Sequence, residues 1–437
     1  MNYQTGQVVE LTTVDVAHGG WCVARPESGP VVFVRHALPG ERVLARITEV
    51  TSRLARAEAV QILTASPDRV EPPCPHAGPG GCGGCDWQHA TLPAQRALKA
   101  AVIRQQLKRL AGIEREVTVE ALDEDLAGLG WRTRVQFAVR ADGVAGLHAH
   151  RSHQVIDVGT CLIAHPVITD LSLTGHRWPG MASVEALAGT ASGESAVIVS
   201  PGRTARTLLR SESIEGITAD SVLRRAGPSL APLRGRTYLS QRAAGRDWRV
   251  SAGAFWQVHP GAADALADAV LATLAPKQGD TVLDLYCGAG LFAGILAPAV
   301  GPGGTVIGVE SDGAAVRDAR HNLRDWPWAQ VRRGDVAEVL HRGGLPPARL
   351  AVADPPRAGL AREVIEYVSA PEHGVGRLAY VSCDPATLAR DIGLLVARGW
   401  ALDGLRAFDA FPMTHHVECV ATLLSRSPSV SARTPSI

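Results

Sequence analysis

Cys383 stands where a predicted strand meets a predicted helix, a position that suits a nucleophilic thiol. The apolar residues 378–381 predict a buried strand, and Pro385 suits the first position of the helix that follows. A side chain at this junction faces the carboxyl ends of parallel strands, where α/β proteins bind ligands. The helix N-terminus favours the thiolate and the Asp384 carboxylate opposes it, and we expect a net lowering of the Cys383 pKa. A buried structural cysteine is the alternative interpretation.

Asp354 is a carboxylate that its sequence neighbours hold in place, in the run Asp354-Pro355-Pro356-Arg357. Pro355 disfavours helical backbone at Asp354, and two successive prolines stiffen the turn. In a doubly wound sheet this turn lies at the same open edge as Cys383. A fixed carboxylate beside a thiolate suits methyl transfer to a weak carbon nucleophile, whereas hydride transfer requires neither group. A rigid surface turn is the alternative.

A glycine-containing loop follows the predicted strand at residues 281–285 and opens a helix. Glycines such as Gly288 and Gly290 let the backbone approach a ligand at a helix N-terminus. Glu310 ends the next predicted strand, about twenty residues further on, where an acid can bind both ribose hydroxyls of an adenosine. The pattern predicts an adenosine-containing cofactor and by itself does not separate NAD from S-adenosylmethionine.

Three cysteines, Cys74, Cys82 and Cys85, fall within twelve residues of a glycine-rich stretch. The N-terminus has no basic region followed by an apolar core, so we expect no signal peptide and a cytoplasmic location. In that compartment cysteines bind metals or act in catalysis more often than they form disulfides. Three close cysteines need a fourth ligand, and four thiolates suit either a [4Fe–4S] cluster or zinc.

The composition of the whole chain is that of an ordinary soluble protein of about two to four domains. Its 437 residues are 46% hydrophobic and carry a net charge of +1, so there is no chain-wide basic field. Binding to RNA or DNA would therefore depend on local arginine patches. The longest apolar stretches are interrupted by charge, and we expect no transmembrane span.

The chain divides into four predicted parts. Residues 1–65 have β-branched runs separated by glycine and proline turns, which predicts a small closed barrel of the OB type. Residues 66–250 predict a strand-rich central domain with a helix at 92–110, for which packing on the following α/β domain is an alternative. We place the basic residues of this helix, including Lys99, on a solvated face. Residues 251–425 alternate strands and helices and predict an α/β, doubly wound, Rossmann-like domain with an antiparallel hairpin at its edge, and residues 426–437 predict a disordered tail.

Taken in chain order, the motifs resemble those of the RNA uridine-C5 methyltransferases, which form 5-methyluridine. The narrower resemblance is to the ribosomal-RNA branch, which has an N-terminal TRAM barrel and an iron–sulfur cluster, and it extends over residues 1 to about 425. The sequence departs from the family pattern at His259 and Asp384, where Asn is usual, and at Leu147, where an aromatic is frequent. The matching segments are Ala254-Phe255-Trp256-Gln257-Val258, Asp284-Leu285-Tyr286-Cys287-Gly288-Ala289-Gly290, Glu310, Asp354-Pro355-Pro356-Arg357, Ser382-Cys383-Asp384-Pro385 and Thr414-His415-His416-Val417-Glu418.

This resemblance implies a class I methyltransferase domain that binds S-adenosylmethionine, and a role for each matching residue. Cys383 would be the nucleophile that adds to uracil C6, and Glu418 the general base that removes the C5 proton. Arg132 would contact the RNA. The implied cofactor contacts are Gln257, Tyr286, Glu310 and Asp354, with Asp335 as a candidate for the adenine. The implied ligands of a [4Fe–4S] cluster are Cys74, Cys82, Cys85 and Cys161.

The implied partner is RNA, with 23S ribosomal RNA ahead of transfer RNA, and neither a membrane nor an obligate protein partner is expected. One alternative is a C5-pyrimidine methyltransferase that acts on transfer RNA or on cytosine, although transfer-RNA members generally lack the barrel and the cluster. An alternative from another class is a non-catalytic RNA-binding protein that retains the cofactor fold. The intact pair Cys383 and Glu418 argues against that reading.

Overall fold

Five N-terminal strands close into a barrel in the computed structural model of this protein, which describes residues 3–27, 29–122, 127–202 and 216–426. They close in the order β1-β2-β3-β5-β4. Alternate residues Val43, Ala45 and Ile47 are buried in the barrel core, as the period of two along a strand requires. The predicted closed barrel is confirmed. The strands are β1 (Val8–Ala17), β2 (Trp21–Ala24), β3 (Val31–Arg35), β4 (Arg42–Val50) and β5 (Leu54–Thr64).

The helix predicted at 92–110 is α1 (Leu92–Gln106), continued by a π-helical turn at Leu107–Ala111. Thr91 caps its start, since the side chain accepts a hydrogen bond from the backbone N–H of Ala94. Ile103 and Leu107 pack into the core of the α/β domain, whereas Val102 of α1 packs with Val16 and Leu38 of the N-terminal part. The short strand β6 (Val119–Glu120) joins the edge of the α/β sheet. The helix therefore lies between the barrel and the α/β domain.

A seven-stranded sheet forms the central domain, in the order β13-β12-β11-β10-β7-β8-β9. Its neighbours are antiparallel except β11 and β12, which are parallel. Val184, Ala186 and Val197 are fully buried against the short helix that crosses one face. The elements are β7 (Arg134–Val139), β8 (Ala145–His148), β9 (Val155–Ile156), α2 (Pro166–Thr169), β10 (Met181–Ala188), β11 (Ser195–Pro201), β12 (Ser221–Ala226) and β13 (Ser229–Arg234).

A two-stranded hairpin, β14 (Tyr238–Ala243) and β15 (Arg246–Ser251), leads into the first helix of the last domain, α3 (Ala262–Leu274). Trp248 of the hairpin is fully buried in the same apolar core as Leu266 of α3. Burial of an indole of this size ties the hairpin to the α/β part of the chain. The hairpin also packs on the central sheet, since Leu239 of β14 shares an apolar core with Leu187 and Ile198. It therefore contacts both domains, and the limit at residue 250 stays a prediction.

An eight-stranded sheet in the order β18-β17-β16-β19-β20-β22-β21-β6 carries the candidate site. The strands from β18 to β20 are parallel, whereas β22 runs antiparallel to both β20 and β21. The predicted α/β doubly wound fold is confirmed. The remaining elements are β16 (Thr281–Leu285), α4 (Leu291–Val300), β17 (Thr305–Glu310), α5 (Gly313–Asn322), β18 (Ala329–Arg333), α6 (Val336–Arg342), β19 (Leu350–Ala353), α7 (Arg362–Ser369), β20 (Arg377–Ser382), α8 (Pro385–Val396), β21 (Trp400–Phe408) and β22 (Glu418–Ser425).

The helices of the described ranges are all too short or too polar to cross a membrane. Residues 427–437, which make up nearly all of the predicted disordered tail, lie outside the described residues.

Candidate active site

The loop between β16 and α4 is shaped by residues with positive φ. Tyr286, Gly288 and Gly290 have φ angles of 67°, 53° and 92°. A Cβ added at Gly288 would meet no atom within 4 Å, whereas one at Gly290 would lie 3.2 Å from the Cβ of Ala319 on α5. Gly290 is therefore needed for packing between helices, and Gly288 leaves its side of the loop open to a ligand.

Two carboxylates adjoin this loop. Glu310, at the end of β17, accepts a hydrogen bond from the backbone N–H of Gly288 at 3.0 Å. Asp284 on β16 is fully buried, and its Oδ2 accepts a hydrogen bond from the N–H of Ala293 at 2.7 Å. Its Oδ1 atom is also buried and has no hydrogen-bond partner among the described residues. Burial raises the pKa of the Asp284 carboxyl to about 8. The sequence pattern assigned no role to Asp284. Its place near the end of a buried strand, before a glycine loop, was the available signal.

Asp354 directly follows β19, and its backbone N–H donates to the Leu285 carbonyl at 3.2 Å. Burial raises the pKa of its carboxyl to about 7. A ligand that brings N–H donors and a positive charge would satisfy both Asp354 and the unpartnered oxygen of Asp284. The amino group and sulfonium of S-adenosylmethionine have these properties, so the residues present fit that cofactor.

The remaining predicted cofactor residues lie on three different segments. Gln257 is buried in the connection between β15 and α3, in a small pocket that Arg134 and Gln241 also line. Tyr286 is partly buried, and burial raises the pKa of its hydroxyl to about 12. Asp335 is the N-cap of α6, where its Oδ1 accepts a hydrogen bond from the N–H of Glu338 at 3.2 Å. Asp335 thus has a local structural function in addition to any contact with a ligand.

We expect Asp354 to make the stability of the free protein fall as pH rises. Because its pKa is about 7 in the fold against an ordinary 3.8, the folded protein keeps a proton there that the unfolded chain has released between about pH 4 and pH 7. The free energy of unfolding therefore decreases with rising pH across that window. Urea unfolding at several pH values measures the slope, and Asp354→Asn should reduce it. An unchanged slope in the variant would contradict this assignment.

Cys383 lies between β20 and α8, half-buried, as the sequence predicts. The expected lowering of its pKa is wrong. Burial, reinforced by the carboxyl of Glu418, raises the pKa of the thiol to about 12, and the Arg357 guanidinium opposes the rise. Removal from water outweighs the favourable end of α8, because desolvation acts on the whole charge while the helix supplies only a partial one.

Glu418 begins β22 and is buried. In the antiparallel register Ser382 pairs with Cys419, so Cys383 and Glu418 are the adjoining residues at one end of neighbouring strands. Burial and the nearby Asp354 carboxyl raise the pKa of Glu418 well above its ordinary range, and Arg357 again opposes the rise. The Cys383 thiol and the Glu418 carboxyl, both with raised pKa values, thus lie side by side at the ends of β20 and β22.

Helix α1 anchors the loop 409–417, which connects β21 to Glu418. Lys99 is fully buried, with its Nζ 2.5 Å from Asp409 Oδ1 and 3.0 Å from the Phe411 carbonyl. Gln95 accepts a hydrogen bond from the N–H of Met413 at 2.8 Å. The predicted solvated position of Lys99 is wrong, since this basic residue of α1 points into the protein. Spacing along a helix did not reveal it, because the partner is about three hundred residues away.

We expect Lys99→Met to destabilise the protein by about 3–5 kcal/mol, because Asp409 would keep a buried charge without its partner. Urea unfolding compares the variant with the parent. The matched control is the double variant Lys99→Met, Asp409→Leu, which removes both charges and should recover most of the loss. A double variant as unstable as the single one would show that the ion pair is not the cause.

The four cysteines predicted to bind a metal or cluster line one cavity of about 380 Å³, and Arg132 lines it too. The N–H of Gly84 points at Cys82 Sγ from 3.3 Å, and burial raises the pKa of the Cys85 thiol to about 12. Within the described ranges no group of three or more His, Cys, Asp or Glu residues is arranged to hold a metal ion. By residue type, four thiols on one cavity with an amide donor match a group bound by four thiolates, but in the described residues their arrangement does not form such a site. The four cysteines are Cys74, Cys82, Cys85 and Cys161.

Phe255 is an exposed aromatic in the connection between β15 and α3. Its side chain is 66% exposed, while Gln257, two residues later, is buried. An exposed aromatic ring offers a base a stacking surface. The sequence pattern assigned no role to Phe255. Its place next to a second aromatic, Trp256, was the available signal for a stacking surface.

Three family profiles match parts of the chain. That of tRNA (uracil-5-)-methyltransferase matches residues 349–427, which contain Asp354, Cys383 and Glu418. The TRAM domain profile matches residues 3–60, the barrel. The profile of protein-L-isoaspartate(D-aspartate) O-methyltransferase matches residues 261–336, which contain the glycine loop.

Proteins from other organisms match over nearly the full length. A protein of Streptomyces avermitilis named "Uncharacterized RNA methyltransferase" is 50% identical over 429 residues, which cover 96% of this chain and 98% of that protein. One of Bifidobacterium longum, also named an uncharacterized RNA methyltransferase, is 35% identical over 445 residues, covering 96% and 97%. The solved structure of a tRNA (uracil-54, C5)-methyltransferase from Pyrococcus abyssi, in complex with S-adenosyl-L-homocysteine, has a TM-score of 0.72 at 23% identity and covers 95% of this chain and 99% of that one. This likeness confirms the class I methyltransferase fold. The chain therefore belongs to the family of S-adenosylmethionine-dependent RNA uracil-5 methyltransferases.

Proposed function

We propose that this enzyme forms 5-methyluridine in RNA through a covalent bond between the Cys383 sulfur and C6 of the target uracil. The observation that carries the proposal is the register of β20 and β22, which sets the thiol beside the Glu418 carboxyl. Uracil C5 is a weak nucleophile until a thiolate adds at C6. A nucleophile and a proton acceptor at adjoining positions are the two groups that this reaction needs.

Each of the two side chains performs one covalent or proton-transfer step. S-adenosylmethionine, when bound, supplies the methyl group at its sulfonium centre. The Cys383 thiol releases its proton to solvent and the sulfur bonds to C6. The electron pair of the C5–C6 double bond moves towards O4, so that C5 becomes nucleophilic. After C5 is methylated, Glu418 accepts the C5 proton, the double bond re-forms and the C6–S bond breaks, which returns an electron pair to sulfur. Arg357 lowers the pKa of both side chains and so favours their reactive, ionised forms.

Four residues bind the cofactor in this proposal, namely Gln257, Tyr286, Glu310 and Asp354. Glu310 supports the assignment because it ends β17 beside the glycine loop, where a carboxylate can accept ribose hydroxyls. Asp335 follows β18 and would use its second carboxylate oxygen for the adenine amino group. The unpartnered oxygen of Asp284 adds a further acceptor for the amino group of the cofactor.

The cysteine cavity is proposed to hold a [4Fe–4S] cluster with a structural role. The support is the donor set: four thiols from two distant segments of chain around one cavity. Bound there, a cluster would tie the loop at residues 74–85 to the central sheet through Cys161. Zinc is the alternative that the same four ligands allow.

We expect anaerobically purified protein to carry roughly four iron and four acid-labile sulfide atoms per chain, with broad absorbance near about 400 nm. Cys161→Ser should lower the iron and sulfide content, because the cavity loses one of its four thiols. The matched control is Cys22→Ser, which changes a thiol in the barrel core. Protein that contains zinc and lacks sulfide would contradict the cluster assignment.

Ribosomal RNA, and 23S rRNA in particular, is the proposed substrate, with transfer RNA as the alternative. The support is the resemblance of the sequence to the ribosomal-RNA branch, which has a barrel and a cluster. The alternative is supported by the solved tRNA (uracil-54, C5)-methyltransferase, whose structure covers 95% of this chain. Arg132 is proposed as an RNA contact at the edge of the cysteine cavity, and Phe255 as a surface on which a base stacks.

Mass spectrometry of RNA from a strain that lacks the gene tests the proposed function. We expect 5-methyluridine to be missing at one position of 23S rRNA and to return when the gene is restored. A loss in transfer RNA instead would favour the alternative substrate, and a loss of 5-methylcytidine would favour action on cytosine. Purified protein that binds RNA and gives no heat with S-adenosylmethionine in titration calorimetry would indicate a non-catalytic RNA-binding protein.

A further inference from the structure

The turn between β1 and β2 of the barrel reaches the catalytic elbow. His18, in this turn, places its Nε2 atom 3.1 Å from Oδ2 of Asp384, the residue that follows Cys383. The turn is closely packed: a Cβ at Gly20 would lie 3.1 Å from side-chain atoms of both Asp86 and His415. The contact between barrel and elbow is therefore set by packing around the turn as well as by the histidine.

The two carboxylate oxygens of Asp384 have different roles. Oδ1 caps α8, since it accepts hydrogen bonds from the N–H groups of Ala386 and Thr387, both at 2.9 Å. Oδ2 faces His18. His18 and the capping bonds hold the pKa of Asp384 below its ordinary value even though it is half-buried, so the carboxylate is charged at neutral pH. That charge in turn raises the pKa of the neighbouring Cys383 thiol.

We propose that His18 is a positioning residue for Cys383, contributed by the barrel, which fixes the Asp384 carboxylate as a helix cap and offsets its negative charge beside the nucleophile. The inference rests on the proposed function, because it gives the barrel a share in preparing the thiol for attack. A carboxylate next to a nucleophilic sulfur disfavours the thiolate, and a hydrogen-bond donor or cation on that carboxylate reduces the penalty. The position of the barrel turn thereby affects how readily the Cys383 thiol ionises.

The other polar groups near His18 and Asp384 are the same in the parent protein and in a His18 variant. The His415 ring lies 6.5 Å from the His18 ring, centroid to centroid, and its Nδ1 is 2.6 Å from Asp86 Oδ2. On the side of Cys383 the charged neighbours are Glu418, Asp354 and Arg357. A double-mutant cycle on His18 and Asp384 removes these shared contributions.

The test is the rate at which iodoacetamide alkylates Cys383 in the full-length protein without RNA, followed by peptide mass spectrometry between about pH 6 and pH 10. In this reaction the thiolate sulfur displaces iodide, so the rate reports the thiolate fraction. We expect His18→Ala to slow alkylation at about pH 8 by about threefold to tenfold and to move the pH profile upward. In the Asp384→Asn background, which keeps the cap oxygen and removes the charge, the same change should alter the rate by less than about twofold.

The matched control is His153→Ala, which removes an exposed histidine whose ring neighbour is His148 and should leave the rate unchanged. Thermal unfolding checks that each variant folds. If His18→Ala does not fold, His18→Leu takes its place in the cycle with the same expected result, because leucine fills a similar volume and has neither an N–H donor nor a cationic form.

Equal slowing in both backgrounds, or no slowing in either, would overturn the proposal. Alkylation needs neither RNA nor methyl donor, so this result is independent of the proposed function. Absence of 5-methyluridine formation in a protein whose alkylation follows the cycle would count against the proposed function and leave the role of His18 standing.

Discussion

Replacing Cys383 by alanine is expected to reduce methyl transfer to RNA by roughly 10⁴-fold or more, because no other group can add to uracil C6 at this place. The thiol lies half-buried near Glu418 and Arg357. Water that enters the space left by the sulfur is a much weaker nucleophile than a thiolate and does not replace it. Transfer of a tritiated methyl group from S-adenosylmethionine to RNA measures the loss. Binding of the cofactor, followed by calorimetry, should change little, since the proposed cofactor residues lie on other elements of the sheet.

A matched control distinguishes loss of the nucleophile from loss of the fold. Cys22→Ala removes a buried thiol from the barrel core, where Cys22 donates a hydrogen bond to the Ala37 carbonyl at 3.0 Å. This variant should stay active at a temperature where it remains folded. A Cys383→Ala protein with normal activity would refute covalent catalysis and with it the proposed function.

Replacing Glu418 by glutamine is expected to trap a covalent complex between enzyme and methylated RNA. The amide cannot accept the C5 proton, so the double bond does not re-form and the C6–S bond does not break. Another proton acceptor does not easily reach the C5 proton in place of Glu418. Glu418 is buried at the first position of β22, where it pairs with Phe408. A band that migrates as protein plus RNA on a denaturing gel, and carries the labelled methyl group, measures the trapped species.

The change from Glu418 to glutamine should leave the fold intact. Burial raises the pKa of this carboxyl well above its ordinary range, and the amide of glutamine has nearly the same size and shape and brings no charge into the buried site. Glu116→Gln, at a fully exposed carboxylate, is the matched control and should turn over normally. Free methylated RNA released by Glu418→Gln at the parental rate would contradict the role of Glu418 as the base.

Local signals in the sequence were sufficient for most of the fold. Thr91, Pro93 and Gly112 bound the helix at 92–110 because caps and prolines act through the backbone next to them. The sequence left open the domain on which each connecting element packs. Helix α1 and the β14–β15 hairpin each contact the α/β domain and a second domain. Apolar side chains look the same in sequence whichever domain they pack on.

The sequence by itself determined the motif positions: Cys383 after a strand, the glycine loop, and carboxylates at strand ends. Only the tertiary structure decided what surrounds them. The pKa of Cys383 rises because burial and the Glu418 carboxyl act through space, and Lys99 is buried because Asp409 lies opposite it. His18 meets Asp384 because the barrel docks there. Desolvation and long-range charge depend on distances between segments remote in the chain, and local patterns of residues carry no measure of those distances.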